Sequence, residues 1–385
     1  MPWVCSSGYF PNEMAINNCD EKPSVFCQRK EMPMNVLYTV NAPLLPAFGV
    51  SFLSLLETNQ EVEDLTIHFV GENLDKDAWQ WMQRTANAHG RSIFYYELAD
   101  LAPELVSCSA LAIPIVPSRI CVERIEALHR VIYLDGDTLV MGSLKPLWDM
   151  DMGDKLIWGV GTIIPDSHLF LIDNQFFPTR PERWFNNGVI LMDVDALRDF
   201  GLMEKSFAIF DERARQSMRY HLSDENAVNH LFQGNLGWLP PKYNVVCHTF
   251  ALTDQQIKQL GWAPDGYTQA EREEAIVHPV VIHYMETPYY RPYATGCFHP
   301  RLAIYESYAQ RTFWGHQLSE PRRLRYLETV AQNFCTKRSR NAQGRMTGFW
   351  FAVFYVLMHV TRWLHSKRIG RALTRFMRRF LGKTC

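Results

Sequence analysis

The chain of 385 residues carries a formal net charge of −2 and contains 47% hydrophobic and 13% aromatic residues. This composition excludes a disordered chain and is sufficient for one large core or two smaller ones. The nine cysteines form an odd set without Cys-x-x-Cys spacing. They argue against a disulfide framework and a zinc site, and they favour free thiols.

The first 33 residues predict an irregular extension, to which the sequence assigns no function. They lack the basic and apolar regions of a secretory signal, so we expect no export. A cytoplasmic location is therefore the expectation.

Apolar strands and helices alternate after this extension. The pattern predicts strands at residues 35–40, 65–70 and 92–96, and helices at residues 47–56 and 79–88. Such alternation is typical of an α/β fold with a mainly parallel, twisted sheet and helices on both faces. Ligands bind such sheets at the carboxyl ends of the strands, where Asn41 and Asp135 are expected.

Asp135, Gly136 and Asp137 directly follow an apolar strand predicted at residues 130–134. In an extended segment the two carboxylates point the same way and suit one hard divalent cation, which Gly136 allows the backbone to approach. A cation held by carboxylates has room for the oxygens of a departing nucleotide diphosphate. The alternative is an Asx turn at a strand end, which favours the same residues for backbone reasons alone.

Two later segments combine polar and apolar residues. Residues 184–192 (WFNNGVILM) are predicted to turn at Gly188 and to continue as an apolar strand. Asn186 and Asn187 offer donors and acceptors that suit sugar hydroxyls, although Asn-Asn-Gly is also ordinary turn chemistry.

The second of these segments, residues 224–229 (DENAVN), opens a helix predicted at residues 227–232 after a cap at Ser223. Asp224 and Glu225 place two carboxylates in the first turn of this helix. A glutamate is also favoured in the first turn of a helix by the helix dipole alone.

Residues 130–148 (RVIYLDGDTLVMGSLKPLW), together with these two segments, closely resemble glycosyltransferase family 8 in order and spacing. This family of retaining sugar-nucleotide transferases includes bacterial lipooligosaccharide galactosyltransferases and glycogenin. The resemblance covers residues 34–315 and implies the Rossmann-like GT-A fold. It also implies transfer of a hexose, galactose or glucose, from a UDP-sugar to a glycan or glycolipid hydroxyl with retention.

The resemblance further implies donor-binding residues near the first strand. Thr39, Val40 and Asn41 would hold the uracil and ribose, with Asn41 at a position where many relatives have aspartate. Arg119 matches an arginine that contacts the donor. Its alternative is a surface or ion-paired arginine.

By the same resemblance, His283 completes a metal site with Asp135 and Asp137. Two carboxylates and an imidazole suit Mn²⁺ better than Mg²⁺, which is the alternative ion. A structural histidine at the end of a strand is the competing interpretation. The family pattern His-x-x-Gly-x-x-Lys-Pro-Trp is here HYMETPYYRPY, and Arg291 is the candidate cation for the diphosphate.

Asn186, Asn187 and Gly188 would, by resemblance, contact the donor sugar. The family usually reads Asp-Gln-Asp at the next block, where this chain has Asp224, Glu225 and an asparagine. Asp224 would bind donor hydroxyls, and Glu225 would lie beneath the anomeric carbon. Its carboxylate would act there as a nucleophile or as an electrostatic stabiliser.

The C-terminal residues 316–385 form a basic, aromatic-rich tail. Residues 329–385 contain twelve Lys and Arg residues and no acidic ones, and residues 348–360 form an uncharged run of 13. This run is too short to cross a membrane, which needs about 20 apolar residues. An amphipathic helix follows, and we expect it to lie on an anionic membrane surface.

Two alternatives for the tail are a helix packed on its own domain and a nucleic-acid-binding segment; we expect no nucleic acid. With the extension at residues 1–33 and the transferase domain at residues 34–315, the tail completes three predicted regions. The expected protein is a peripheral enzyme at the inner face of the cytoplasmic membrane, acting in lipopolysaccharide or related synthesis. A metal-dependent phosphohydrolase and a non-catalytic nucleotide-sugar- or glycan-binding protein are the alternative functions.

Overall fold

The computed structural model describes residues 32–108, 111, 114–163, 183–215, 224–259, 265–284, 291–293, 297, 299–315, 348–353, 355 and 356. The chain divides into a short unit, Met1–Met32, and a second unit, Pro33–Cys385. The helices and strands given below belong to the second unit. The predicted N-terminal extension lies outside the described residues except at its end.

The described strands run in chain order as β1 (Met34–Val40), β2 (Leu65–Gly71), β3 (Ser92–Glu97), β4 (Arg130–Leu134), β5 (Thr138–Val140), β6 (Ile157–Thr162), β7 (Trp184–Asp193), β8 (Gly237–Trp238), β9 (Val245–Val246) and β10 (Val281–His283). The described α-helices are α1 (Leu45–Thr58), α2 (Lys76–Ala88), α3 (Leu98–Leu101), α4 (Pro103–Ser107), α5 (Lys145–Trp148), α6 (Val194–Phe200), α7 (Leu202–Arg215), α8 (Asp224–Leu231), α9 (Cys247–Ala251), α10 (Asp254–Gln259), α11 (Gln269–Val277) and α12 (Leu302–Ala309). Short 3₁₀ helices cover Ala42–Leu44, Val116–Arg124 and Pro241–Tyr243.

Seven strands form one mixed, mostly parallel sheet in the order β3-β2-β1-β4-β7-β6-β8. The pairs among β3, β2, β1 and β4 are parallel, whereas β7 is antiparallel to both β4 and β6. The predicted α/β class and the strands and helices of its first half are confirmed. A second, three-stranded sheet has the order β5-β10-β9, which the sequence did not predict.

Helix α1 lies between the two sheets and is buried along most of its length. Toward the large sheet, the Phe48 ring packs edge-on against Tyr38 at a centroid distance of 5.0 Å. Toward the small sheet, the Ser54 hydroxyl accepts a hydrogen bond of 3.0 Å from the backbone N–H of Val140 in β5. The loop from β4 to β5 therefore passes from one sheet to the other alongside this helix, with Gly136 next to Phe48.

The turn expected at Gly188 is not formed, because β7 continues through it from Trp184 to Asp193. Its neighbours β4 and β6 supply ladder partners on both sides, and this burial overrides the turn preference of Asn-Asn-Gly. An irregularity remains at this point, since the register with β6 shifts between Gly159 and Val160. The shift leaves Asn187, Gly188 and Val189 without ladder partners in β6, while Asn186 pairs with Val160.

The predicted helix at residues 227–232 is observed as α8, which begins at Asp224. The cap predicted at Ser223 lies outside the described residues. The strand expected before His283 is observed as β10 and ends at this histidine.

The part of the tail that the structure describes, residues 348–353, 355 and 356, is helical. Phe351 is only 7% exposed and belongs to an apolar cluster that includes Phe250 and Tyr305. This first part of the tail therefore packs on the same apolar cluster as α9 and α12. Within the described residues, no helix has the length and apolarity that a membrane crossing requires. The predicted amphipathic helix after residue 356 lies outside the described residues.

Candidate active site

The segment Asp135-Gly136-Asp137 lies at the carboxyl edge of the large sheet. Strands β1 and β4 are parallel neighbours, with Tyr38 opposite Leu134, so the residues that follow them meet at this edge. Asn41 and Asp135 occupy the two positions, as the sequence predicted. The backbone N–H of Asp135 also donates a 2.8 Å hydrogen bond to the carbonyl of Gly188, which joins the segment to β7.

Asp135, Asp137 and His283 bring one oxygen or nitrogen donor each to within 4.8 Å of one another. His283 Nε2 lies 3.6 Å from Asp135 Oδ2 and 3.2 Å from Asp137 Oδ1. The register of the small sheet accounts for this approach, because His283 in β10 lies opposite Thr138 in β5, immediately after Asp137. The residues come from a turn and a strand end rather than from one extended segment.

The other oxygen of each carboxylate contacts an arginine. Asp135 Oδ1 lies 3.2 Å from Arg119, and Asp137 Oδ2 lies 3.0 Å from Arg291. Each aspartate therefore directs one oxygen at His283 Nε2 and the other away from it. Two carboxylate oxygens and an imidazole nitrogen fit a divalent cation, and this donor set suits Mn²⁺.

Electrostatics keep Asp137 ionised. Burial by itself raises the pKa of this carboxyl, but the nearby positive charges of Arg291 and His283 outweigh that effect and lower the pKa to about 2. Asp137 is thus an anion at neutral pH, as a metal ligand must be.

Arg119 joins this group of ligands to α8. The guanidinium is 8% exposed, contacts Asp135, and places Nε 2.5 Å from Asp224 Oδ2. It also donates to the Asn187 carbonyl and lies 4.4 Å above the Tyr133 ring. Burial lowers the pKa of Arg119, yet the two aspartates more than offset it, so the arginine stays charged. The interpretation of Arg119 as an ion-paired residue therefore holds, while its contact with the donor stays a prediction.

Glu225 is held by three donors from β7. Trp184 Nε1 donates to one carboxylate oxygen at 2.6 Å, and the Asn186 side chain and the Asn187 backbone N–H donate to the other at 3.3 and 3.4 Å. Burial raises the pKa of Glu225 to about 7, although the bonds from Trp184 and Asn187 oppose this rise. The residue as a whole is half-buried. It is therefore a fixed group that titrates near neutrality.

Asn187 and Asp224 lie next to Glu225, and both are buried. The Asn187 amide donates a 2.8 Å hydrogen bond to Asp224 Oδ2. Burial raises the pKa of Asp224, and Arg119 and Asn187 act against it. Both predicted sugar-binding residues thus lie together at the start of α8.

Gly188 makes space for the imidazole ring of His283. A Cβ atom at this position would lie 2.3 Å from His283 Nδ1 and 2.9 Å from Asn186 Oδ1. The glycine is required by this close approach rather than by a turn. Its predicted contact with the donor sugar is not tested by the geometry.

The predicted nucleotide-binding residues border the same edge. The Thr39 hydroxyl lies 3.0 Å from the Tyr133 hydroxyl, which donates a 2.7 Å hydrogen bond to Asp135. Val40 is buried, and its Cγ2 would lie 3.0 Å from a Cβ atom at Gly136, so this glycine serves close packing.

Sequence reasoning missed Asn244. This residue is 2% exposed, and its side chain contacts both His283 and Asn186. It follows the 3₁₀ helix Pro241–Tyr243, and Pro-Pro-Lys-Tyr-Asn indicates only an ordinary turn. No local pattern in the sequence points to its two partners.

The chain belongs to glycosyltransferase family 8, whose family model, described as Glycosyl transferase family 8, matches residues 35–289. It is 20% identical over 289 residues to general stress protein A of Bacillus subtilis (strain 168), an alignment that covers 74% of this chain and 96% of the relative. It is 24% identical over 220 residues to lipopolysaccharide 1,2-glucosyltransferase of Escherichia coli (strain K12), covering 55% of this chain and 62% of the relative.

Among solved structures, the fold resembles the galactosyltransferase LgtC in complex with donor and acceptor sugar analogues. The TM-score is 0.58 at 20% identity, with 73% of this chain and 96% of LgtC covered. An LgtC active-site mutant with glutamate in place of a glutamine gives a TM-score of 0.56 at the same identity and coverage. The protein is thus a glycosyltransferase with the fold of that family and a candidate Asp-Asp-His metal group.

We expect Gly188→Ala to weaken Mn²⁺ binding by at least about 10-fold, within the range found when groups that orient a metal ligand are changed. The added methyl group forces the His283 ring away from Asp135 and Asp137. Gly142→Ala is the matched control, because its Cβ would meet nothing closer than 3.8 Å. Electron paramagnetic resonance of free Mn²⁺ gives both affinities; equal values for the two variants would contradict the assigned role of Gly188.

Proposed function

We propose that this protein transfers a hexose, galactose or glucose, from a UDP-sugar to a hydroxyl of a glycan or glycolipid, with retention and with Mn²⁺ as cofactor. One observation carries the proposal: the group Asp135, Asp137 and His283 is joined through Arg119 to the acidic pair at the start of α8. A proposed site for the cation that binds the diphosphate thus lies next to Asp224 and Glu225, whose carboxylates suit a sugar. Retention rests on the family resemblance.

The roles of the cation site follow from its charges. A divalent cation held by Asp135, Asp137 and His283 would neutralise charge on the departing diphosphate. Arg291 lies beside Asp137 and is a second cation for the same phosphates. Thr39, the neighbouring Val40 and Asn41 would hold the nucleotide at the adjoining edge of the sheet.

The sugar is proposed to lie against the polar end of β7. Asn187 Oδ1 is buried and has no hydrogen-bond partner among the described residues, so it has an acceptor free for a sugar hydroxyl. Asp224 offers a buried carboxylate beside it, and Asn186 and Gly188 complete the surface. Glu225 is proposed to face the anomeric carbon as nucleophile or electrostatic stabiliser.

The acceptor is proposed to be lipid-borne. A relative named for lipopolysaccharide glucosyl transfer supports a surface-glycan acceptor. The eight Lys and Arg residues between Arg362 and Lys383 support contact with anionic lipid at the inner face of the cytoplasmic membrane. The three predicted regions, at residues 1–33, 34–315 and 316–385, are kept in this proposal.

The direct test measures UDP release from a panel of UDP-sugars by the intact protein, with and without a soluble glycan acceptor. We expect Mn²⁺-dependent release from UDP-galactose or UDP-glucose, stimulated by an acceptor and abolished by Asp137→Ala. Hydrolysis of simple phosphate esters without use of UDP-sugars would instead support a phosphohydrolase. Binding of UDP-sugar without turnover would support a non-catalytic protein.

Glu225 must be ionised to act as nucleophile or stabiliser, so kcat/KM is expected to rise with pH and to reach half its plateau near pH 7. Glu225→Ala should lower kcat by at least about 10²-fold, with little change in donor affinity. Glu225→Gln, the usual residue of the family, should retain more activity and lose the pH-dependent limb. A limb that persists unchanged in Glu225→Gln would assign it to another group.

Removal of residues 357–385 should release the protein from anionic vesicles. Each basic residue near such a surface contributes about 1 kcal/mol, and the truncation removes all eight of those between Arg362 and Lys383. Residues 348–356 are retained because Phe351 is part of the core. UDP-sugar hydrolysis should persist in the truncated protein. Equal co-sedimentation of both proteins with phosphatidylserine vesicles would contradict membrane binding by the tail.

A further inference from the structure

A backbone N–H fixes the orientation of the two buried asparagine side chains between the metal group and Glu225. The Gly188 backbone N–H donates to Asn186 Oδ1 at 3.0 Å, which identifies that atom as the oxygen, because a backbone N–H is only a donor. The Asn244 atom 2.6 Å from the same oxygen must then be its amide nitrogen. Neither side chain can be flipped without loss of a buried hydrogen bond.

The same reasoning fixes the proton on His283. With its nitrogen directed at Asn186, Asn244 presents its oxygen to His283 Nδ1 at 3.1 Å. Nδ1 therefore carries a hydrogen, so Nε2 is the ring nitrogen whose lone pair a cation between Asp135 and Asp137 would use. This is the tautomer that a metal ligand needs.

At the other end, the Asn186 amide nitrogen donates to Glu225 Oε2 at 3.3 Å. A donor there favours the ionised carboxylate. Asn244, Asn186 and His283 are 2%, 5% and 6% exposed, so water does not compete for these bonds. Hydrogen-bond donation thus runs from His283 through Asn244 to Asn186 and on to Glu225, and the Gly188 N–H is a second donor to the Asn186 oxygen.

We propose that Asn244 is a positioning residue that couples the two halves of the site: its oxygen sets the tautomer of His283, and its amide holds Asn186 with a donor toward Glu225. This inference rests on the proposed function, since it requires a metal at His283 and a catalytic Glu225. Asn244 contacts neither the donor nor the acceptor in this role. It differs from a merely structural residue because its oxygen affects Mn²⁺ affinity and its amide nitrogen affects kcat, and these two quantities can be measured separately.

Two substitutions separate the role of the Asn244 oxygen from that of its amide nitrogen. Asn244→Ala removes both atoms, so Mn²⁺ affinity should fall about 10- to 100-fold and kcat should fall with it. Asn244→Asp keeps an acceptor for His283 Nδ1 but places a carboxylate oxygen against Asn186 Oδ1. Mn²⁺ affinity should then stay within about threefold of the parent, while kcat, measured at saturating Mn²⁺, falls at least about 10-fold.

Asn59→Ala is the matched control for the loss of a buried asparagine. Asn59 is fully buried and bonds Leu55 and Leu144 away from the site, so its loss should lower the melting temperature without changing Mn²⁺ affinity. Asp137→Ala tests the metal site itself. If Asp137→Ala binds Mn²⁺ like the parent, the proposed function fails at its metal site.

If Asp137→Ala loses Mn²⁺ but Asn244→Ala binds it like the parent, the coupling is wrong while the metal site stands. Parental kcat in Asn244→Asp would equally overturn it. Thermal melts and Mn²⁺ electron paramagnetic resonance are recorded on each intact variant. Should Asn244→Ala not fold, the near-isosteric Asn244→Asp still decides the question through the contrast between its Mn²⁺ affinity and its kcat.

Discussion

The buried ion pairs of Arg119 are the interaction on which the candidate site depends. Asp135, Asp137, Asp224 and Glu225 converge at one edge of the sheet, and carboxylates brought together under burial oppose each other's ionisation. Arg119 contacts two of them through different nitrogens, Asp135 through Nη2 and Asp224 through Nε, and its planar group suits this bridging better than an ammonium would. Removing a buried counter-ion of this kind leaves uncompensated charge, which is costly.

The carboxylates at the two ends of the site, Asp137 and Glu225, differ in how much positive charge surrounds them. Asp137 is neighboured by Arg291 and His283, which lower its pKa, whereas Glu225 is held by neutral donors and its pKa rises. The two ends of the site therefore differ in chemistry: one is a permanent anion suited to a cation, and the other titrates near neutrality. Strand β7 makes this separation, because it supplies Trp184 and the two asparagines to Glu225 and leaves room at Gly188 for His283.

Much of the large sheet could be predicted because its strands are apolar runs separated by amphipathic helices, a pattern that is local in sequence. The positions of Asp135, Asp137, Asp224 and Glu225 followed from motifs at strand and helix ends. The small sheet could not be predicted in this way. Its strands have only two or three residues, and the pairing of β5 with β10 joins segments more than 100 residues apart.

The error at Gly188 and the omission of Asn244 have the same physical cause. Asn-Asn-Gly forms a turn when it is exposed, but here two neighbouring strands bury it, and this tertiary context overrides the local preference. Asn244 follows a short proline-containing turn, and only the folded chain brings it to His283 and Asn186. Contacts between distant residues leave no spacing in the sequence from which they could be inferred.

Isothermal titration of UDP into the intact protein, with Mn²⁺ and then with excess chelator, tests most directly whether the acidic cluster is a cation-dependent donor site. The four carboxylates should repel the diphosphate unless a divalent cation lies between them. The expected result is binding of one UDP per chain with Mn²⁺ and a loss of at least about 10-fold in affinity with chelator. UDP binding of equal affinity in chelator would contradict the assignment of Asp135, Asp137 and His283 as the metal group of the donor site.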